Sequence, residues 1–125
     1  GAKPARMIAG KLPLPPEVDR WDMSSALGLE HTPRCVLEDR ADSVVLRVTV
    51  PLESGRGHYI EFVKLVGPAP GFDLIAEHVS KPRDEAGPWS HRFEIAKRDL
   101  PLGAKYLIIY SRCNRHGSYA MSQAI

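Results

Sequence analysis

The sequence has few of the features that identify a protein class at once. Only two of its 125 residues are cysteines, which excludes a small scaffold held together by several disulfides. The net charge is only +2, so composition gives no reason to expect nucleic-acid binding. No apolar run approaches the roughly 18 residues that a membrane-spanning helix needs. We therefore expect one domain, with no membrane span and no nucleic-acid partner.

Proline and glycine are plentiful, at 11 and 10 residues, which predicts many turns and few long helices. We expect residues 1–27 to form an extended, proline-rich N-terminal arm, because Pro13, Pro15 and Pro16 prevent a continuous helix. Within this arm, Asp22–Ser25 can begin one short helical turn. The arm and the absence of an initial Met favour a periplasmic or exported protein over a cytoplasmic one.

From about Pro33 onward the pattern is typical of β-strands, and we expect residues 28–125 to form the folded domain. In the segment from Ser43 to Val50, alternate residues are apolar, which predicts that they share a buried face. Further candidate strands follow, separated by turn signals, at residues 58–66, 72–79, 89–95 and 104–112. The sequence predicts an all-β, antiparallel sandwich of about seven strands.

Five histidines and the two cysteines are the side chains with the most distinctive chemistry. Cys113 and His116 are three residues apart, where a strand runs into the turn at Gly117, so both can contact one metal ion. Cys113 has the same strand parity as Leu107 and Ile109, which predicts that its side chain faces the interior. A metal ion would supply the counter-charge that a buried thiolate needs. The alternative is a small buried cysteine beside an exposed turn histidine.

The other histidines and Cys35 give weaker signals. His58 begins a strand and His31 precedes one, and binding residues are common at such positions. His91 shares the apolar face of Trp89 and is expected to be a hydrogen-bonded core or rim histidine. We expect His78 to be solvated. Cys35 is expected in the core, with a disulfide as the alternative in an exported protein.

Three separated segments together resemble the superoxide reductase family, which is also called desulfoferrodoxin or neelaredoxin. They are Glu30-His31-Thr32-Pro33, His58-Tyr59-Ile60-Glu61-Phe62 and Cys113-Asn114-Arg115-His116-Gly117. The last segment is similar to the family's C-N-x-H-G signature and the middle one to its H-Y-I strand. The resemblance covers about residues 28–121 in the family's order.

This resemblance implies an immunoglobulin-like β-sandwich that holds one mononuclear, non-haem iron. In the family, four equatorial histidines and one axial cysteine hold the iron, and superoxide is reduced to hydrogen peroxide at its open sixth position. By resemblance, His31, His58 and His116 are three of the histidine ligands. Cys113 corresponds to the axial thiolate, whose electron donation supports the reaction and gives it a catalytic role. A small electron-donor protein and a homo-oligomer are also implied.

Two departures from the family pattern concern the site. The fourth histidine is missing, because Leu52, or Val50 when the alignment is made on Pro51, stands at its position. Water, Glu53 or His91 are the candidates to fill that position. The family's Glu-Lys pair before the first ligand is replaced by Leu29 and Glu30. Because that lysine commonly attracts superoxide, an acidic residue there acts against an anionic substrate.

Two other functions remain open at this point. Cys113, His116 and Met121 also resemble the ligand loop of a blue-copper protein, with His31 or His58 as the second histidine of an electron-transfer site. The domain could instead be a non-catalytic binding module that retains only the fold, since fold does not imply function. Iron is the expected cofactor and copper the alternative.

Overall fold

A computed structural model describes residues 2–4, 12–18, 25–55, 57–80 and 87–125. Within these ranges, eight strands form two antiparallel sheets of four strands each, together with one short α-helix. The predicted all-β antiparallel sandwich is confirmed, and the strand beyond the expected seven is the three-residue segment at the N-terminus. None of the helices in the described ranges is long and apolar enough to cross a membrane.

The first sheet has the strand order β1-β2-β3-β6. Its strands are β1 (Ala2–Pro4), β2 (Arg34–Asp39), β3 (Ser43–Ser54) and β6 (Gly87–Ala96). Strand β1 belongs to the predicted arm, and its Lys3 pairs with Leu37 of β2. This part of the arm is therefore an edge strand of the sandwich.

The second sheet has the strand order β5-β4-β7-β8. Its strands are β4 (Ile60–Val66), β5 (Leu74–Val79), β7 (Tyr106–Cys113) and β8 (Gly117–Ala124). Strand β8 is not among the strands that we predicted individually. Its residues from Ser118 to Gln123 are all buried, including the polar ones. The strand therefore lacks the alternation of apolar and polar residues that identifies a strand with one exposed face.

The main core lies between the sheets and follows the predicted parity. The alternate apolar residues of β3 are fully or almost fully buried and pack with Leu107 and Ile109 of β7. Cys113 belongs to the same cluster, which confirms that its side chain faces the interior. Cys35 is also in this core, as expected, and both cysteines are free. Burial raises the pKa of the Cys35 thiol to about 12, as is typical of an inert core cysteine.

Residues 12–18 cover the outer face of the second sheet. Val18 is buried there against Ile108, Tyr110 and Ala120. Glu17 accepts a hydrogen bond from the Tyr110 hydroxyl. Because this segment packs on the outer face of β7 and β8, most residues of these strands are buried on both sides, and β8 has no exposed residue between Ser118 and Gln123.

Candidate metal centre

The four predicted ligands lie in one cluster. The donor atoms of His31, His58, Cys113 and His116 all lie within 4.8 Å of one another. Among the described residues, this is the one group of three or more His, Cys, Asp or Glu side chains that could hold a metal ion. His31 and Cys113 are buried, whereas His58 and His116 are half-buried. The group is therefore accessible from solvent on the side of His58 and His116.

His31 is the last residue of α1 (Ala26–His31) and lies just before β2, as expected from the sequence. Ser25 caps this helix, because its Oγ accepts a hydrogen bond from the Gly28 N–H at 3.0 Å. A short helix thus begins at the end of the expected segment Asp22–Ser25, whose first three residues lie outside the described residues. The His31 Nδ1 lies 2.7 Å from the Leu27 carbonyl oxygen. Since a carbonyl only accepts, the ring proton is on Nδ1, and the lone pair of Nε2 faces the other three side chains.

Two further contacts hold His31 in place. The Ser111 hydroxyl of β7 donates to the His31 carbonyl oxygen at 2.6 Å. The ring of Tyr119, which is almost completely buried, stacks on the His31 imidazole at 5.2 Å with an interplanar angle of 29°. Tyr119 was not among the predicted site residues, because it lies on the strand that we did not predict individually.

His58 is held by the side-chain amide of Asn114. The Asn114 Oδ1 accepts from the Tyr59 N–H at 2.9 Å, and its Nδ2 donates to the Gly57 carbonyl at 3.2 Å. The Asn114 N–H also donates to the Tyr59 carbonyl at 3.1 Å. One side chain therefore fixes the residue on each side of His58 against the turn that carries Cys113 and His116.

Cys113 and His116 meet because β7 and β8 are joined by a tight turn. Cys113 pairs with Gly117 across the ladder, and Gly117 has a φ of 86°, a left-handed conformation that favours glycine. This turn brings the Cys113 Sγ to 3.6 Å from the His116 Nδ1. The Arg115 N–H also points at Sγ, at 3.4 Å. A backbone donor directed at a ligand sulfur adjusts the properties of a metal that the sulfur holds.

Three imidazole nitrogens converge at this point. The His31 Nε2 lies 3.4 Å from the His58 Nε2 and 3.2 Å from the His116 Nδ1, and the latter two nitrogens are 3.0 Å apart. The His31 Nε2 carries no proton, and a single N–H can point at only one neighbour, so hydrogen bonds do not satisfy all three contacts together. A cation between the three nitrogens would satisfy all three contacts. Imidazole and thiolate together suit iron, copper and zinc, so the donor set fits a transition metal.

The electrostatic environment favours the neutral imidazoles that metals bind. Burial is the main cause of the lowered pKa of His31, and nearby His116 lowers it further. Burial also lowers the pKa of His58, followed by the effects of His116, His31 and the Arg115 guanidinium. The Glu30 carboxylate acts in the opposite direction on both groups.

The other two histidines lie outside the group. The rings of His78 and His91 are stacked on each other, with centroids 3.8 Å apart and an interplanar angle of 18°. His91 also packs edge-on against Phe93, so it does not complete the ligand set. The expectation that His78 is solvated is wrong, because it is half-buried in this stack between β5 and β6.

The position of the missing histidine is apolar. Val50 and Leu52 are both buried in the main core and offer no donor atom. The side chain of Glu53, the other candidate for this position, lies outside the described residues. The described part of the chain therefore supplies three histidines and one cysteine to the group.

Met121 does not reach the group, so the blue-copper ligand set that includes it is wrong. Met121 pairs with Ile109, whereas Cys113 pairs with Gly117. Four residues of strand, or roughly 13 Å, separate these two levels of the ladder. Met121 instead packs in the main core.

No protein-family model matches the sequence, and no curated protein sequence does either. Solved structures do match. The superoxide reductase from Giardia intestinalis is 21% identical with a TM-score of 0.55, and the match covers 77% of this chain and 98% of that one. The superoxide reductase (neelaredoxin) from Ignicoccus hospitalis is 18% identical with a TM-score of 0.60, over 81% and 85% of the two chains. The superoxide reductase from Nanoarchaeum equitans is 17% identical with a TM-score of 0.53, over 77% and 93%. The chain thus has the β-sandwich fold of these superoxide reductases.

Proposed function

We propose that the chain holds one non-haem iron through His31, His58, His116 and Cys113, and reduces superoxide to hydrogen peroxide there. The observation that carries this proposal is the convergence of three imidazole nitrogens and one thiol at the solvent-accessible edge of a superoxide-reductase fold. Iron(II) bound there would supply one electron, so that superoxide and two protons give hydrogen peroxide and iron(III).

The protein residues would set the properties of this centre. The Cys113 thiolate would donate electron density to the metal, and the Arg115 N–H directed at its sulfur would adjust the reduction potential. His58 and His116, which are half-buried, would leave access for a small substrate. Each turnover consumes one electron, so a separate donor protein of small size is part of the proposal.

The two cysteines provide a matched test. Cys113→Ala removes the proposed ligand, whereas Cys35→Ala removes a core thiol of the same type outside the group. After reconstitution with iron(II), we expect wild-type protein and Cys35→Ala to consume superoxide at equal rates and Cys113→Ala to lose this activity. Equal rates for Cys113→Ala and wild type would contradict the proposal.

The same samples test the choice of metal. We expect iron(III)-loaded protein to show a thiolate-to-iron charge-transfer band that is absent from Cys113→Ala. An intense blue band in copper-loaded protein, together with failure to bind iron, would favour a copper site instead. If no metal binds after reconstitution, both the iron and the copper site are excluded, and a non-catalytic binding module is favoured.

A further inference from the structure

The guanidinium of Arg115 lies beside the accessible side of the four-residue group. A Cβ atom at residue 57 would lie only 3.0 Å from the Arg115 Nη2, so the guanidinium covers the backbone of Gly57. Gly57 directly precedes His58, which is one of the two half-buried members of the group. The Arg115 side chain is therefore placed where a small molecule from solvent would approach.

The charge of Arg115 is not neutralised by a nearby carboxylate in the described part of the chain. No ion pair of Arg115 is found there, whereas the neighbouring Arg112 lies 3.9 Å from Glu61. Within the described residues, the Arg115 guanidinium therefore presents an unpaired positive charge beside Gly57 and His58.

We propose that Arg115 is the cation that draws small monovalent anions to the metal centre. A guanidinium is always charged and is weakly hydrated, so it can attract an anion without holding it as tightly as a buried pair would. A positive charge at the mouth of a site also raises the rate at which anions arrive, and this effect weakens as salt is added. The inference rests on the metal-binding part of the proposed function and not on iron or superoxide.

Azide binding to cobalt(II)-loaded protein tests the inference, because cobalt absorption reports a new ligand and no turnover is involved. We expect Arg115→Gln to weaken azide binding by about 3- to 10-fold, as one unit charge at the edge of a site would. Arg115→Lys should restore most of the affinity. Arg112→Gln makes the same change of charge at an exposed, paired arginine and should leave azide binding close to wild type.

The rate of metal uptake is a second measurement, in which we expect Arg115→Gln to cause an increase instead of a loss. The same positive field repels a dication, so zinc(II) should associate faster with metal-free Arg115→Gln than with wild type, and the difference should shrink in high salt. A merely structural role for Arg115 would weaken azide binding and slow metal uptake together, and Arg115→Lys would not restore either. That pattern, or unchanged azide affinity in Arg115→Gln, would overturn the inference.

These outcomes are separable from those of the proposed function. If the protein binds cobalt and azide as described but does not reduce superoxide, Arg115 keeps its role and only the reaction is wrong. If the protein fails to bind cobalt, the metal centre and the inference are overturned together.

Discussion

The Asn114 side chain is the most direct link between the two segments that carry three of the four candidate ligands. Replacing it with alanine removes two hydrogen bonds of normal length, from the Tyr59 N–H to Oδ1 and from Nδ2 to the Gly57 carbonyl, and a long contact of 4.0 Å from the Cys113 Sγ to Oδ1. The backbone hydrogen bond from the Asn114 N–H to the Tyr59 carbonyl remains. We therefore expect Asn114→Ala to loosen His58 while leaving the turn itself folded.

The expected size of this effect follows from the two lost hydrogen bonds of normal length. Each hydrogen bond contributes about 0.5–1.5 kcal/mol, and the exposure of Asn114 favours the lower half of that range. The total of about 1–2 kcal/mol is divided between the metal-free fold and metal binding, so the loss in metal affinity is at most about 5- to 30-fold. Asn114→Asp keeps the acceptor for Tyr59 and loses the donor to Gly57, so its loss should be smaller.

Competition with a chromophoric zinc chelator measures this affinity for wild type and both variants. Urea unfolding of the metal-free proteins serves as the control, and we expect a smaller change there than in metal binding. If Asn114→Ala binds zinc as tightly as wild type, the side chain does not position His58 and the reasoning is wrong.

Two further predictions concern stability. Ser25→Ala removes the cap of the helix that carries His31, so we expect the free energy of unfolding to fall by about 1 kcal/mol in urea denaturation, and an unchanged value would contradict the capping role. Burial, with a smaller contribution from His78, lowers the pKa of His91, so the folded protein favours neutral His91 more than the unfolded chain does. This contribution to stability is complete above the unfolded pKa of about 6.5 and is lost as the pH falls through the lower folded pKa. We therefore expect the free energy of unfolding, measured with urea on metal-free protein, to fall less between about pH 7 and about pH 5 in His91→Gln than in wild type. An unaltered pH dependence would contradict this expectation.

Strand parity explains why much of the fold could be predicted. The alternation in β3 and the parity of Cys113 with Leu107 depend only on the two-residue period of a strand, and the structure follows both. The same rule fails for β8, where residues 12–18 cover the outer face of the second sheet and remove the contrast between its sides. His78 was misjudged for a similar reason, because its partner His91 lies on the opposite sheet.

Beyond the pair of Cys113 and His116, the candidate site could be predicted only through the resemblance. His31 is 27 residues from His58 and 85 from His116, and no local spacing rule joins such distant positions. What brings them together is the end of α1 meeting the β7–β8 turn. The contacts made by Tyr119, Asn114 and Arg115 depend on that tertiary arrangement, so the sequence alone did not assign their roles.

X-ray absorption at the iron edge tests the central claim most directly, because it identifies the atoms bound to the metal. For iron-loaded wild-type protein we expect one sulfur and several nitrogen neighbours, with the sulfur absent from Cys113→Ala and retained in Cys35→Ala. Iron bound without a sulfur neighbour, or a sulfur signal that persists in Cys113→Ala, would contradict a metal centre formed by His31, His58, His116 and Cys113.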